Sequence, residues 1–291
     1  MTVIELIESG AAQLTEAGVS FGHGTSNAFD EAAWLVLWQL GLALDSPLEG
    51  PDSVSKRPVA PAEYARVATL FIARIETRKP AAYLTKEAWL QGVPFYVDER
   101  AIVPRSLIAE VLVNGAIDPW LGEDTHHVLD LCTGNGSLAI LAAMAFPDVQ
   151  VDAADISADA LAVAQINVEK HSLQDRVALL TSDGLTGVSG PYDLILCNPP
   201  YVNAQSMAAL PQEFKAEPAL ALAGGNDGMD FIRQLLRDIA AHMTDQAVLV
   251  LEIGNERSHF EAAFPTLEVV WLETSAGEDQ VLLVTREALI V

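Results

Sequence analysis

The chain has 291 residues, of which 51% are hydrophobic, and it carries a net charge of −24, so we expect a large core in one or two domains. Its longest apolar run, Ala32 to Leu44, is too short to cross a bilayer, and its start resembles no signal peptide, which predicts a cytoplasmic protein without a membrane anchor. Beyond residue 105 there are 27 acidic side chains and only 7 basic ones, a balance that repels phosphate and attracts basic polypeptides, although solubility alone can also explain it.

The first eighty residues predict a small helical bundle. Thr2 and Glu5 form a capping-box pattern before apolar residues at helical spacing. A second helix is expected through Trp34 to Leu42 and a third over 61–78. The bundle shows no catalytic constellation, so we assign residues 1–80 a role in substrate recognition.

The next segment, residues 81–105, is predicted to be a β-hairpin linker. Trp89–Leu90, Phe95–Val97 and Ala101–Val103 have the composition of strands, and Gly92 lies between the first two. Such short runs, bounded by turn residues, are typical of a hairpin.

Residues 106–291 alternate between strand and helix patterns. Strands are expected near 127–132, 149–154, 177–181, 193–197, 247–253, 267–273 and 280–285. Helices are expected near 106–117, 137–146, 158–171 and 229–242. This alternation predicts an α/β fold of the Rossmann-like type, with a doubly wound and mostly parallel seven-stranded sheet. The last two strands form a hairpin that adds an antiparallel strand.

The segment Asn198-Pro199-Pro200-Tyr201 follows the apolar strand that ends at Cys197. Two adjacent prolines fix φ and remove two backbone N–H groups, which leaves a rigid loop rich in hydrogen-bond acceptors. Such a loop suits a planar –NH₂ group, whose two hydrogens can be held while its nitrogen faces an electrophile.

A glycine-containing loop, Cys132-Thr133-Gly134-Asn135-Gly136, joins the first strand of this half to a helix. Glycines at such a junction allow a ligand to approach the backbone and the helix N-terminus closely. Asp130 precedes the loop and can anchor it while reaching a ligand bound there. Asp155, at the end of the next strand, can accept both ribose hydroxyls of a nucleoside. Asp183, after the third strand, can accept an adenine amino hydrogen.

The same loop also satisfies the loose dinucleotide fingerprint G-x-G-x-x-A, through Gly134, Gly136 and Ala139. NAD binding is disfavoured by Asp130 before the loop, by the preceding helical domain and by the Asn198–Tyr201 loop at the end of the fourth strand.

Together these motifs resemble the class I S-adenosylmethionine-dependent methyltransferases that act on glutamine amides. The segments Ala82–Leu90, Phe95–Arg100 and Val103–Ser106 look like the branch that modifies the large-subunit ribosomal protein L-three. The branch that modifies peptide-chain release factors typically has Pro-Arg-Pro-Glu-Thr where this chain has 104–108. Glu217-Pro-Ala-Leu220, followed by Asp227-Gly228, supports the same assignment.

The resemblance implies the following site. The implied catalytic residues are Asn198, Pro199 and Tyr201, and the implied substrate-binding residues are Asn198, Pro199, Pro200, Tyr201 and Arg105. The cofactor-binding residues are Asp130, Cys132, Thr133, Gly134, Asn135, Gly136, Asp155, Ile156, Asp183, Gly184 and Asn198. No metal is expected. A structural salt bridge is the alternative role for Arg105. Cys132 stands where the class usually has its first glycine, and Asn135 replaces a smaller residue.

Three other functions are open to the same motifs. A release factor is the alternative protein substrate. Amino-methyltransferases of adenine or guanine also hold an –NH₂ group with Asn-Pro-Pro-aromatic, but the acidic catalytic half and the lack of a basic recognition stretch disfavour direct nucleic-acid binding. A non-catalytic binding module is disfavoured because Asp130, Asp155 and Asn198–Tyr201 are all intact. The resemblance implies a basic protein as partner, ribosomal protein L-three, either free or in assembling ribosomes.

Overall fold

A computed structural model of the protein describes residues 1–290 and divides into two compact units. The first unit comprises Met1–Ala88 with Pro211–Ala216, and the second comprises Trp89–Leu210 with Glu217–Val291. The functional division at residues 80 and 105 stays a prediction. Within residues 1–290, no helix has the length and apolarity needed to cross a membrane.

The first unit is helical, as the sequence predicted. Its helices are α1 (Val3–Glu16), α2 (Ala28–Gln39), α3 (Pro61–Thr77) and α4 (Ala81–Thr85). The capping box of Thr2 and Glu5 is formed at the start of α1. A fully buried Arg74 on α3 donates to Glu31 on α2 at 2.7 Å and to the Ser20 carbonyl at 2.9 Å. Burying a guanidinium requires such pairing, because an unpaired buried charge is strongly destabilising.

The second unit contains a seven-stranded sheet. A two-stranded hairpin, β1 (Ala88–Leu90) and β2 (Val93–Phe95), precedes it in the chain. The remaining elements are α5 (Ile108–Val113), β3 (His127–Leu131), α6 (Ser137–Ala145), β4 (Gln150–Asp155), α7 (Ala158–Lys170), β5 (Val177–Thr181), β6 (Tyr192–Cys197), α8 (Ala204–Ala209), α9 (Asp230–Asp238), β7 (Met243–Glu252), α10 (Arg257–Ala263), β8 (Val270–Thr274), β9 (Gly277–Thr285) and α11 (Arg286–Leu289). The strand order is β5-β4-β3-β6-β7-β9-β8, parallel as far as β7 and antiparallel at β9. The predicted doubly wound, mostly parallel sheet is confirmed.

Both faces of the sheet are buried. Along β3, Val128 packs in a core with residues of α5 and α6, whereas the next residue, Leu129, packs in a second core with residues of α9 and α10. Parallel strands covered on both faces read as continuous apolar runs, which is the pattern that identified them in the sequence.

The predicted hairpin linker over 81–105 is only partly correct. The segment begins with α4, and its strands end at Phe95, so Ala101–Val103 form no strand. The main chain of Tyr96 bonds instead to the side chain of Asn167 on α7, with N···Oδ1 and O···Nδ2 distances of 2.7 and 2.9 Å. That amide satisfies both backbone groups, so no neighbouring strand is needed.

The helix predicted over 106–117 is shorter than expected and spans only Ile108–Val113. The Leu107 N–H donates to the Glu252 carboxylate at 2.9 Å. Gly115 follows the helix with φ +72°, in the left-handed region, where a glycine ends a helix at little cost. A side-chain acceptor from a distant strand thus sets the start, which no local pattern could reveal.

Candidate active site

The carboxyl ends of β3, β4, β5 and β6 meet at one edge of the sheet and form a cleft. Open parallel sheets bind ligands at this edge. The lining includes these predicted residues: Cys132, Gly134, Asp155, Ile156, Asp183, Gly184, Asn198 and Pro200.

A smaller cavity adjoins the cleft and shares Ile102, Cys132, Gly134 and Asn198 with it. Three further predicted residues line this cavity, namely Arg105, Thr133 and Asn135. Four predicted residues line neither cavity: Asp130, Gly136, Pro199 and Tyr201. The fold therefore brings most of the predicted site together, and these four neighbour its walls without forming them.

The loop after β3 turns through three residues in the left-handed region, with φ +63° at Cys132, +56° at Gly134 and +81° at Gly136. A Cβ added at Gly136 would lie 3.1 Å from the Cβ of Ala164 on α7, so close packing and φ both call for glycine there. Cys132 adopts a φ that glycine reaches without strain. Its thiol is free, as is that of Cys197.

Asp130 lies beneath this loop and is fully buried. Its Oδ2 accepts hydrogen bonds from the Thr133 hydroxyl and, at 2.9 Å, from the Ala139 N–H on α6. Its Oδ1 is buried and has no hydrogen-bond partner within residues 1–290. Burial raises the pKa of Asp130 to about 7. The side chain thus holds the loop against α6 from the interior, without facing the cleft.

We expect Asp130 to make stability depend on pH around neutrality. Because burial raises its pKa above that of the unfolded chain, its contribution is complete below about pH 4 and is lost as the pH rises through about 7. Asp130→Asn retains an oxygen for Thr133 and Ala139 and cannot ionise. The melting temperature of this variant relative to wild type should therefore rise between about pH 5 and about pH 8, by about 2–4 °C per kcal/mol regained.

Asp193→Asn is the matched control for this titration. Burial alone would raise the pKa of Asp193, but N–H groups of His126 and His127 hold it below its usual value. Its contribution to stability is therefore lost only in acid, so the difference in melting temperature between Asp193→Asn and wild type should stay constant over the same pH range. If the difference for Asp130→Asn also stays constant, Asp130 does not titrate near neutrality as assigned.

Asp155 forms the wall of the cleft at the end of β4. Its Oδ2 accepts from the Gly134 N–H at 2.9 Å, and its Oδ1 accepts from the Ser157 N–H at 2.8 Å. Burial raises its pKa despite these bonds. Each oxygen retains a lone pair for a ligand hydroxyl. Asp183, by contrast, is exposed and lies at the mouth of the same cleft.

Asn198 begins the acceptor-rich loop and lines both cavities. Within residues 1–290, its half-buried side chain takes part in no hydrogen bond, so its amide is free to bind a ligand. Pro199 is buried and Pro200 is half-buried. Asn198 is thus placed at the junction of the cleft and the smaller cavity.

The Tyr201 side chain turns away from both cavities. Its hydroxyl donates to Glu252 Oε1 at 3.0 Å. A Cβ built at Gly254 would lie 2.4 Å from the tyrosine ring, so ring and backbone are in close contact. Burial raises the pKa of Tyr201 well above its usual value, and the nearby Glu252 carboxylate reinforces the shift. Contact of the ring with an acceptor amide stays a prediction.

Arg105 forms a two-pronged ion pair with Glu217, whose side chain is fully buried. The guanidinium nitrogens lie 2.6 and 2.8 Å from the two carboxylate oxygens. The same carboxylate accepts from the Val103 N–H at 2.9 Å. Arg105 thus forms the salt bridge that was its alternative role, and a contact of Arg105 with substrate stays a prediction.

The sequence reading did not single out several residues of this region. Phe231 lines the cleft, and nothing in its local pattern marks it. Pro218 and Leu220 also line the cleft, although the sequence marked them only as part of a family motif. Glu252 could have been found, because it is an acidic residue at the end of the apolar run of β7. The same signal, a carboxylate at the end of a buried strand, identified Asp155.

The chain is similar in sequence to known methyltransferases. The family described as "Methyltransferase small domain" matches residues 110–227. A protein named ribosomal protein uL3 glutamine methyltransferase from Bordetella pertussis is 52% identical over 99% of this chain and 96% of its own length. Proteins of the same name from Burkholderia pseudomallei and Neisseria meningitidis serogroup A are 49% and 47% identical, over 97% and 99% of this chain and 94% of their own lengths.

A solved structure shares the fold at low identity. The hMettl16 catalytic domain, in complex with MAT2A 3′UTR hairpin 6, has a TM-score of 0.53 and 14% identity, covering 82% of this chain and 85% of that one. This likeness concerns the fold alone. The family follows instead from the close relatives, whose identity of about one half extends over nearly the whole chain. The chain belongs to the ribosomal protein uL3 glutamine methyltransferases.

Proposed function

We propose that this protein transfers a methyl group from S-adenosylmethionine to the side-chain amide nitrogen of a glutamine in the ribosomal protein uL3, giving N5-methylglutamine. The observation that carries the proposal is the free Asn198 amide at the junction of the two cavities. The names of the close relatives support the acceptor, because they specify both uL3 and glutamine.

The residues of the cleft fit S-adenosylmethionine, whose sulfonium supplies the methyl group. The two oxygens of Asp155 can accept the two ribose hydroxyls, and Asp183 can accept from the adenine amino group. Ile156 and Phe231 offer apolar surface for the purine ring. Gly134 has no atom within 4 Å of an added Cβ, so the loop leaves open space beside the ligand.

On the acceptor side, the difficulty is that a glutamine amide nitrogen is a poor nucleophile, because its lone pair is delocalised into the carbonyl. We assign the Asn198 Oδ1 and the Pro199 carbonyl oxygen to accept its two hydrogens. Holding both hydrogens raises electron density on nitrogen and fixes the direction of attack. Alignment of reacting atoms at about 3–3.5 Å can lower a barrier by several kcal/mol. The amide proton leaves after transfer, when the nitrogen is transiently acidic.

The charge of the chain is consistent with a basic protein partner. Residues 106–291 carry 27 acidic and 7 basic side chains, and acidic surfaces accelerate encounter with cationic proteins. We assign the N-terminal helical bundle a part in choosing the partner and place the reaction in the cytoplasm, where newly made ribosomal proteins assemble. Direct sequence-specific contact with nucleic acid is not part of the proposal.

A side-by-side transfer assay tests the acceptor. Purified uL3, assembled ribosomes and a peptide-chain release factor should be incubated with the enzyme and labelled methyl donor. We expect label in uL3, and tandem mass spectrometry should place the added methyl on a glutamine side chain. Faster labelling of the release factor would overturn the acceptor assignment. Retained label after ribonuclease treatment separates protein from nucleic-acid methylation.

A further inference from the structure

Glu252 is a buried carboxylate at the end of β7. The neighbouring strand, β6, leads into the Asn198–Tyr201 loop. The neighbouring residue Leu251 is paired with Cys197 in the sheet, and Cys197 immediately precedes Asn198. Glu252 is 4% exposed and lines neither cavity. Both of its oxygens accept hydrogen bonds from the protein, so we expect any part it has in transfer to act through other side chains.

Its hydrogen bonds join two segments that reach the cleft. Oε1 accepts from the Tyr201 hydroxyl at 3.0 Å. Oε2 accepts from the Ser106 hydroxyl at 2.6 Å and from the Leu107 N–H at 2.9 Å. Burial raises the pKa of Glu252, and these bonds oppose the shift. One carboxylate thus fixes the Asn198–Tyr201 loop relative to the segment that carries Arg105 and Ser106.

Close contacts with glycines restrict Tyr201 on its remaining sides. A Cβ at Gly228 would lie 2.2 Å from the Tyr201 carbonyl oxygen, and one at Gly224 would lie 2.7 Å from its Cα. The ring lies against Gly254. These distances are too short for a real Cβ, so the glycine backbones pack directly against Tyr201. This packing prevents Tyr201 from moving toward Gly224, Gly228 or Gly254. The hydroxyl is the free end of the side chain, and Glu252 holds it.

Two prolines transmit this restraint to Asn198. Pro199 and Pro200 lie between Asn198 and Tyr201, and each has φ fixed by its ring. A displacement of Tyr201 therefore cannot be absorbed by free rotation about φ in the intervening residues.

We propose that Glu252 is a positioning residue for methyl transfer, holding Asn198 in its reactive place through the Tyr201 hydroxyl. The role of Asn198 rests on the proposed function, whereas the restraint on the loop does not. Glu252 acts by fixing the position of Tyr201 and not through its negative charge, because it lies behind the cleft wall.

Substitutions at both ends of the bond test the proposal. Tyr201→Phe and Glu252→Ala should each lower kcat about tenfold or more, while the Kd of S-adenosylhomocysteine by calorimetry changes less than about twofold. The double variant should be no slower than Glu252→Ala, because both changes remove the same bond. Glu252→Gln should retain most of kcat, since its amide oxygen can accept from Ser106 and Leu107 and its nitrogen can donate to Tyr201.

Tyr192→Phe is the matched control. The Tyr192 hydroxyl also donates to a carboxylate, that of Asp152, at 2.7 Å. Tyr192 is the first residue of β6, at the end of the strand opposite Asn198. It should lose stability without loss of kcat. Hydrogen exchange of the peptide containing residues 201–210 should be faster in Tyr201→Phe and Glu252→Ala than in wild type and in this control. Unchanged exchange, or wild-type kcat in Tyr201→Phe, would overturn the positioning role. If exchange is faster in these two variants but the wild-type enzyme transfers no methyl group to uL3, the assignment of uL3 as the methyl acceptor would be overturned, and not the restraint on the loop.

Discussion

Asn198→Ala is expected to lower kcat by about 100- to 1,000-fold while the Kd of S-adenosylmethionine stays within about twofold of wild type. The loss should be of the size seen when one preorganised hydrogen-bonding group is removed from an enzyme site. The amide lines both cavities and has no hydrogen bond of its own within residues 1–290, so the substitution breaks no hydrogen bond among these residues. Single-turnover transfer with saturating cofactor, beside calorimetry of cofactor binding, measures the two quantities separately.

Asn203→Ala is the control from the same loop. Asn203 caps α8 through the Ser206 N–H and donates to Glu256 at 2.6 Å, but lines neither cavity. Losing these bonds disturbs the loop without removing a group from the cleft, so kcat should fall far less. Comparable losses in the two variants would mean that the effect at Asn198 is loop disorder, and near-normal turnover in Asn198→Ala would exclude its proposed role.

The order of strands and helices in the second unit could be predicted because its signals are local. Buried parallel strands are continuous apolar runs, and each site residue at a strand end follows directly from such a run, as Asp155 and Asn198 do. Placing these residues together needs only the rule that parallel strands end at the same edge of the sheet. That much of the cleft follows from the sequence and general topology.

Contacts that join distant parts of the chain could not be predicted in the same way. The extended run Ala101–Val103 was expected to be a strand, but the Val103 N–H finds its partner in Glu217. Likewise, Glu252 sets where α5 can begin by accepting from Leu107. In each case a buried side chain accepts a hydrogen bond from a backbone N–H that a local pattern would assign to a β-sheet or a helix. The hydropathy pattern of the sequence does not indicate such a pairing.

Asp155→Ala should act on the cofactor rather than on the acceptor. Hydrogen bonds to a charged group contribute about 1.5–3 kcal/mol each, so losing two ribose contacts should raise the Kd of S-adenosylhomocysteine by at least about 100-fold. The loop after β3 should also loosen, because Gly134 donates to the same carboxylate. Asp155→Asn, which keeps one acceptor oxygen, should have an intermediate Kd. Calorimetry with S-adenosylhomocysteine and with adenosine checks whether the loss lies in the nucleoside half.

Asp193→Ala separates this effect from the general cost of removing a half-buried, hydrogen-bonded carboxylate. Asp193 accepts from two backbone N–H groups and from the Thr244 hydroxyl, as Asp155 accepts from Gly134 and Ser157. It is, however, the second residue of β6, at the end of the strand away from the cleft. It should lower the melting temperature and leave the Kd unchanged. If adenosine binds Asp155→Ala as tightly as wild type, the carboxylate only braces the loop, and the ribose hydroxyls must find their acceptor elsewhere in the cleft.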